Sequence, residues 1–170
     1  YSNNADITLY PHWVQGNVEI TSYGAVTIYT YADSHKEAVI NGEYSGTDEY
    51  SLDEDVSVNS VVLDRSFTPY VPVTMTLPFD IAVENVENAK FYVFGGVSVD
   101  GNGKKAVEAN RVKTGNLMAN TPYMVIPTAT SITFNGAVVL RETIEPVTQV
   151  GNWEFVGTYA YKTVAEENQG

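Results

Sequence analysis

Between residues 73 and 81 apolar and polar positions alternate without a fault. Val73, Met75, Leu77, Phe79 and Ile81 fall on one face, and Thr74, Thr76, Pro78 and Asp80 on the other. Strand side chains point to opposite faces with period two, so residues 71–81 predict one strand with a buried face and a wet face. A helix would scatter the same five apolar residues around its axis. The rest of the chain is read around this strand.

Residues 17–31 predict two strands joined near 22–24. In the second, Val26 and Ile28 point inward, which sets Tyr29 and Tyr31 side by side on the wet face. Residues 32–36 form a turn, 37–41 return as a short strand, and Asn41-Gly42 marks another turn. The pattern lapses over 42–55, a polar, acidic loop with Tyr44 and Tyr50 set into it. A strand resumes over 56–64 through Val58, Val61 and Leu63, with a bulge expected near Ser60. Residues 67–72 turn the corner into the central strand, and 82–89 hold the only stretch able to form a helical turn.

Residues 90–99 predict a strand interrupted at Gly95-Gly96. A hairpin turn follows at 100–103, a return strand at 104–113 and a loop at 114–120. Residues 121–127 make a short apolar strand fenced by prolines. The clearest hairpin is 131–134, Asn135-Gly136, 137–141. Residues 152–161 close the pattern with Trp153, Phe155, Tyr159 and Tyr161 on one face, assigned to the core. Roughly ten to twelve short strands without an amphipathic helix indicate an all-β fold, an antiparallel two-sheet β-sandwich. The alternative, a parallel β-helix, requires regular rungs, and no period is present.

Composition sharpens this picture. The 170 residues suffice for one domain with its own core. Thr, Ser, Asn, Gly and Tyr replace charge, as suits strands and turns. A net charge of −12 repels phosphate backbones and anionic lipid, which argues against nucleic-acid partners. With no cysteine, disulfides and thiolate chemistry are excluded. No run of about twenty apolar residues exists, so no membrane-inserted helix is expected. The chain opens at Tyr1 without a leader, as expected for a processed protein or a segment of a longer one.

Two resemblances bear on origin. ADITLYPHWV, within residues 1–14, resembles the closing strand of a Listeria–Bacteroides surface-protein repeat, with Pro11 as a departure tolerable only at an edge strand. VVLDRSFTPYVPVTMTLPFDI, NAKFYVFGG, NLMANTPYMVIP and GNWEFVGTY are together similar to a module of large secreted and surface proteins of gut and rumen bacteria (Bacteroidetes- and Fibrobacter-like). There the module accompanies repeats and plant-polysaccharide-degrading enzymes. The resemblance implies a secreted or cell-surface location and carries no catalytic motif. The expected organisation is a closing repeat strand over 1–14, a β-sandwich module over 15–161 and a frayed or truncated tail over 162–170.

Candidate chemistry is sparse. Only His12 and His35 exist, no G-x-S-x-G elbow is present, and a Ser-His-Asp hydrolase is disfavoured. A small jelly-roll glycanase would need two carboxylates roughly 5 to 9.5 Å apart, and only Glu108 and Glu154 lie mid-strand. No cofactor is expected. Calcium is weakly supported: Lys104 spoils the Asp100-Gly101-Asn102-Gly103 loop, and Asp48, Glu49, Asp53, Glu54 and Asp55 read as a solvated charge run. Aromatics carry the leading expectation. Sugar C–H faces stack on tyrosine rings while carboxylates and amides take hydroxyls. Tyr29 and Tyr31 form the platform, with Tyr44 and Tyr50 flanking it. The chain is therefore expected to be a non-catalytic module binding polysaccharide beside other domains of its polypeptide. The alternative is a structural or adhesive spacer.

Overall fold

The computed structural model describes residues 18–46 and 50–160. Sixteen strands follow in chain order: β1 (Glu19–Tyr23), β2 (Val26–Thr30), β3 (Lys36–Asn41), β4 (Val56–Val58), β5 (Ser60–Asp64), β6 (Val73–Thr76), β7 (Ile81–Ala82), β8 (Val86–Glu87), β9 (Ala89–Val99), β10 (Lys105–Arg111), β11 (Asn116–Leu117), β12 (Pro122–Pro127), β13 (Thr133–Phe134), β14 (Val138–Leu140), β15 (Val147–Val150) and β16 (Trp153–Val156). Among the described residues there is no α-helix, only one 3-10 turn at Val83–Asn85, where a helical turn was expected.

The fold is all-β, with several sheets and none closed into a barrel. A six-stranded sheet runs β1-β2-β3-β5-β13-β8 and a four-stranded sheet runs β10-β9-β12-β6. Three small ladders, β11-β7, β14-β4 and β15-β16, complete it. Among the described residues every ladder is antiparallel except β3 with β5. That parallel pair corrects the purely antiparallel expectation. The long connection between β3 and β5, through the acidic loop and β4, supplies the crossover a parallel pair requires. A parallel β-helix is excluded by the antiparallel ladders.

Residues paired directly across a ladder share a face, so the register sorts inside from outside. In the six-stranded sheet Ile28, Ala38, Val61 and Phe134 form one inward row. In the four-stranded sheet Phe91 and Val125 face inward. All six belong to one hydrophobic cluster. Fully buried Phe79 meets Phe134 edge-on with ring centres 5.2 Å apart, and Phe91 meets Tyr123 likewise at 5.7 Å. Burying each such ring contributes about 1.5–3 kcal/mol.

The single strand expected over 71–81 is divided. β6 pairs with β12 and ends at Thr76, Phe79 bridges Leu140, and β7 pairs with β11. Leu77, Phe79 and Ile81 are buried as expected, but so are Thr76 and Pro78, which were assigned to the wet face. The chain later returns over this segment: a methyl on Gly157 would lie 2.4 Å from Thr76 Oγ1 and 2.9 Å from Pro122. Pro78 has no N–H to extend the ladder, and the segment passes from one sheet to the next instead of crossing a single sheet.

Two other expectations change for the same reason. The break expected near Ser60 falls at Asn59, where β4 leaves for β14 and β5 joins β3 and β13. The 131–141 hairpin does not form: β13 pairs with β5 and β8, and β14 with β4. Asn135 is held outward, its N–H on Asn85 O at 2.9 Å and its amide on Glu87 at 2.9 Å. Gly95-Gly96 bulges β9 without interrupting it. Glu108 pairs with Gly96 and Ala109 with Phe94, which leaves Gly95 as the extra residue.

Candidate functional site

Tyr29 lies where expected, on the outer face of the six-stranded sheet. It is paired with Ile20 and Glu37, and Glu37 with Ser60. Tyr31 follows β2, with its ring 5.8 Å from that of His35. Residual burial, then the charge of Glu37, then Tyr29, push the Tyr31 hydroxyl up from its ordinary value. Both rings are half-buried, and Ile20 and Val62 beside them are exposed. The result is a flat face with an aromatic pair and one carboxylate.

Tyr44 and Tyr50 do not flank that pair. Tyr44 leaves from the opposite end of β3 and is half-buried. Tyr50 is 2% exposed, which corrects its assignment as a ligand contact. Its hydroxyl donates to Arg141 O at 2.7 Å, and its ring packs on Tyr159 at 4.9 Å. The polar pattern of 42–55 does not predict a core tyrosine, but Tyr50 packs against the end of β14. Burial, then the neighbouring Asp55, push the Tyr50 hydroxyl far up, and burial does the same for Tyr159.

The acidic loop is partly spent on structure. Arg141 spans it and the central segment: Nη1 donates to Asp55 at 2.8 Å, and Nε and Nη2 donate to Asp80 at 2.9 and 2.7 Å. Asp55 also accepts the Glu142 N–H at 2.9 Å, which, with Arg141, holds its carboxyl below the usual range. Asp48 and Glu49 lie outside the described residues. Asp100 accepts the N–H groups of Asn102 and Lys104, both at 2.9 Å, and so caps its own turn. Among the described residues no group of three acids or histidines is placed to hold a metal.

A concave site exists elsewhere. The β15-β16 hairpin lies against β9, with Phe155 6.0 Å from Phe94 and Val150 directly beside Gly96. Gly96 takes φ 115°, a conformation natural to glycine, and the missing side chain admits Val150. The hairpin and the outer face of the four-stranded sheet enclose a groove of about 440 Å³, lined by Phe94, Val107, Met124, Trp153, Phe155 and Lys105 among others. Trp153 is 39% exposed, and Lys105 Nζ lies 5.0 Å from its ring centre. Trp153 and Phe155 therefore line a groove rather than the core, while Tyr159 packs against the core as expected. Tyr161 lies outside the described residues.

Glu108 and Glu154 border the same groove. In the strand alternation, however, Glu108 sits between Val107 and Ala109, and Glu154 between Trp153 and Phe155. Strand alternation directs each carboxylate away from the apolar residues beside it, so the two stand at the border of the groove and not on its aromatic floor. No family model, no curated protein and no solved structure matches the chain. The segment resembling a repeat strand, 1–14, falls outside the described residues, as does the tail from 161.

The groove residues were missed because a tryptophan and a phenylalanine two apart on a terminal strand read as a core face. The signal that separates them is the partner strand. Trp153 and Phe155 pair with Val150 and Thr148, while the other face of the hairpin carries Glu154, Gln149 and the exposed Val147 and Val156, so the hairpin has no second apolar layer of its own.

Proposed function

We propose that this chain is a non-catalytic module of a secreted or cell-surface protein, akin to those of gut and rumen bacteria, that binds polysaccharide through exposed aromatic side chains. Its two larger sheets are taken as the layers of a β-sandwich. The supporting observation is the groove itself: a partly exposed indole and two phenylalanine rings on a concave outer surface, with polar groups at the rim. Sugar rings offer C–H faces to such indoles and hydroxyls to such rims. Tyr29 and Tyr31 provide a second, flatter platform on the other sheet.

Affinity electrophoresis through gels containing xylan, β-glucan, cellulose derivatives or pectin tests this reading. Retardation on at least one polymer is expected, weakened about tenfold or more by Trp153→Ala, since stacking of one ring contributes on the order of 1–3 kcal/mol. Tyr29→Ala/Tyr31→Ala measures the share of the flat face. Migration unaltered in every gel would leave a spacer domain as the better description.

A further inference from the structure

We propose that the outer face of the four-stranded sheet is a track for an acidic polysaccharide, its uronate carboxylates met by Lys90, Lys105 and Arg111 and its rings stacked on Trp153 and Tyr92. This rests on the glycan reading above and adds the charge of the ligand. The chain has 9 basic residues against 21 acidic ones. Three of those cations nonetheless share this one face. Lys90 pairs across to Ile126, and Tyr92 to both Met124 and Arg111, so all of these stand on the side opposite buried Phe91 and Val125. Lys105, opposite Val99, reaches Trp153 on the same side.

Acids are few on that side. β6, β9 and β12 contain none, and Glu108 of β10 and Glu154 of β16 stand only at the border of the groove. Among the described residues the ion pairs are those of Arg141 with Asp55 and Asp80, so Lys90, Lys105 and Arg111 have no carboxylate partner. A local cationic face on a molecule of charge −12 is complementary to an anion carried on an otherwise neutral, stackable chain. From Lys90 to Val99, the level of Lys105, the track follows ten residues of β9, about 30 Å, which suits a polymer rather than one sugar.

The test compares pectin polymers of one backbone, de-esterified polygalacturonate and its highly methyl-esterified form, by calorimetry and affinity electrophoresis with the intact chain. The acidic polymer is expected to bind about tenfold tighter, and Arg111→Gln or Lys90→Gln to remove most of that preference. Lys36→Gln, the same charge change on the six-stranded sheet, should leave it intact. Trp153→Ala should weaken both polymers. Equal binding of the two forms, or a preference that survives Arg111→Gln and Lys90→Gln, overturns the charge assignment while leaving glycan binding in place. Binding of both polymers that ignores Trp153→Ala overturns this face as the track, and binding of neither, with no retardation in any polysaccharide gel, overturns the glycan reading itself. Comparable retention of single-stranded DNA, or self-association abolished by Arg111→Gln, overturns the proposal in favour of another occupant.

Discussion

At the scale of single residues, Arg141 and Asn120 tie together segments distant in sequence. Asn120 sits at φ 53°, a left-handed position that asparagine tolerates, buried between three elements. Its N–H donates to Leu77 O at 2.9 Å, its amide donates to Glu142 O at 3.1 Å, and the Tyr159 hydroxyl donates to its side-chain oxygen. Arg141 does the corresponding work at the surface with Asp80 and Asp55. Because the folded state lowers the Asp55 pKa, the stabilisation is present above the ordinary carboxylate range and is lost as pH falls through the lowered value. Both groups are exposed, so the effect is small. Denaturant melts at neutral and acid pH should show Asp55→Asn losing stability at neutral pH and matching the parent in acid. A constant deficit at both would assign Asp55 a role independent of its charge.

At the scale of elements, the β15-β16 hairpin is placed by two glycines as much as by its own rings. Gly96 receives Val150, and Gly157 lets the chain pass over Thr76 and Pro122. A branched side chain at Gly157 has nowhere to go, so Gly157→Val should destabilise by about 1–3 kcal/mol. Thermal melts with binding measured well below the transition would show whether the groove is lost too. A fully stable Gly157→Val would mean that the segment does not lie on β6. The same elements show what was legible beforehand. Period-two alternation located β2, β3, β9 and β12, which bring buried residues to the core, whereas β1 and β10, exposed almost throughout, were legible from the turns that join them to β2 and β9. It failed where the chain changes sheets: residues 71–81 and 131–141 alternate perfectly, yet Pro78 and Asn135 mark crossings whose partners are fixed by distant contacts. Alternation also cannot tell a core face from a groove face, which is why Trp153 was misplaced and Tyr50, in a patternless loop, was not seen as buried.

At the scale of the whole molecule, the two larger sheets contribute to one hydrophobic core, and each has a second face outside it. One face is flat, with Tyr29, Tyr31 and Glu37. The other is roofed by a hairpin, cationic and aromatic, on a chain whose overall charge is −12. On the proposed reading, these two faces hold an extended ligand. The most direct test isolates one ring. Only Trp13 and Trp153 fluoresce as indoles, so a Trp13→Phe chain reports Trp153 alone. Titrating that chain with the polysaccharide that retards the parent most should shift or quench the Trp153 emission along the binding isotherm. Binding that saturates while the emission stays unchanged would contradict the groove as the site of recognition.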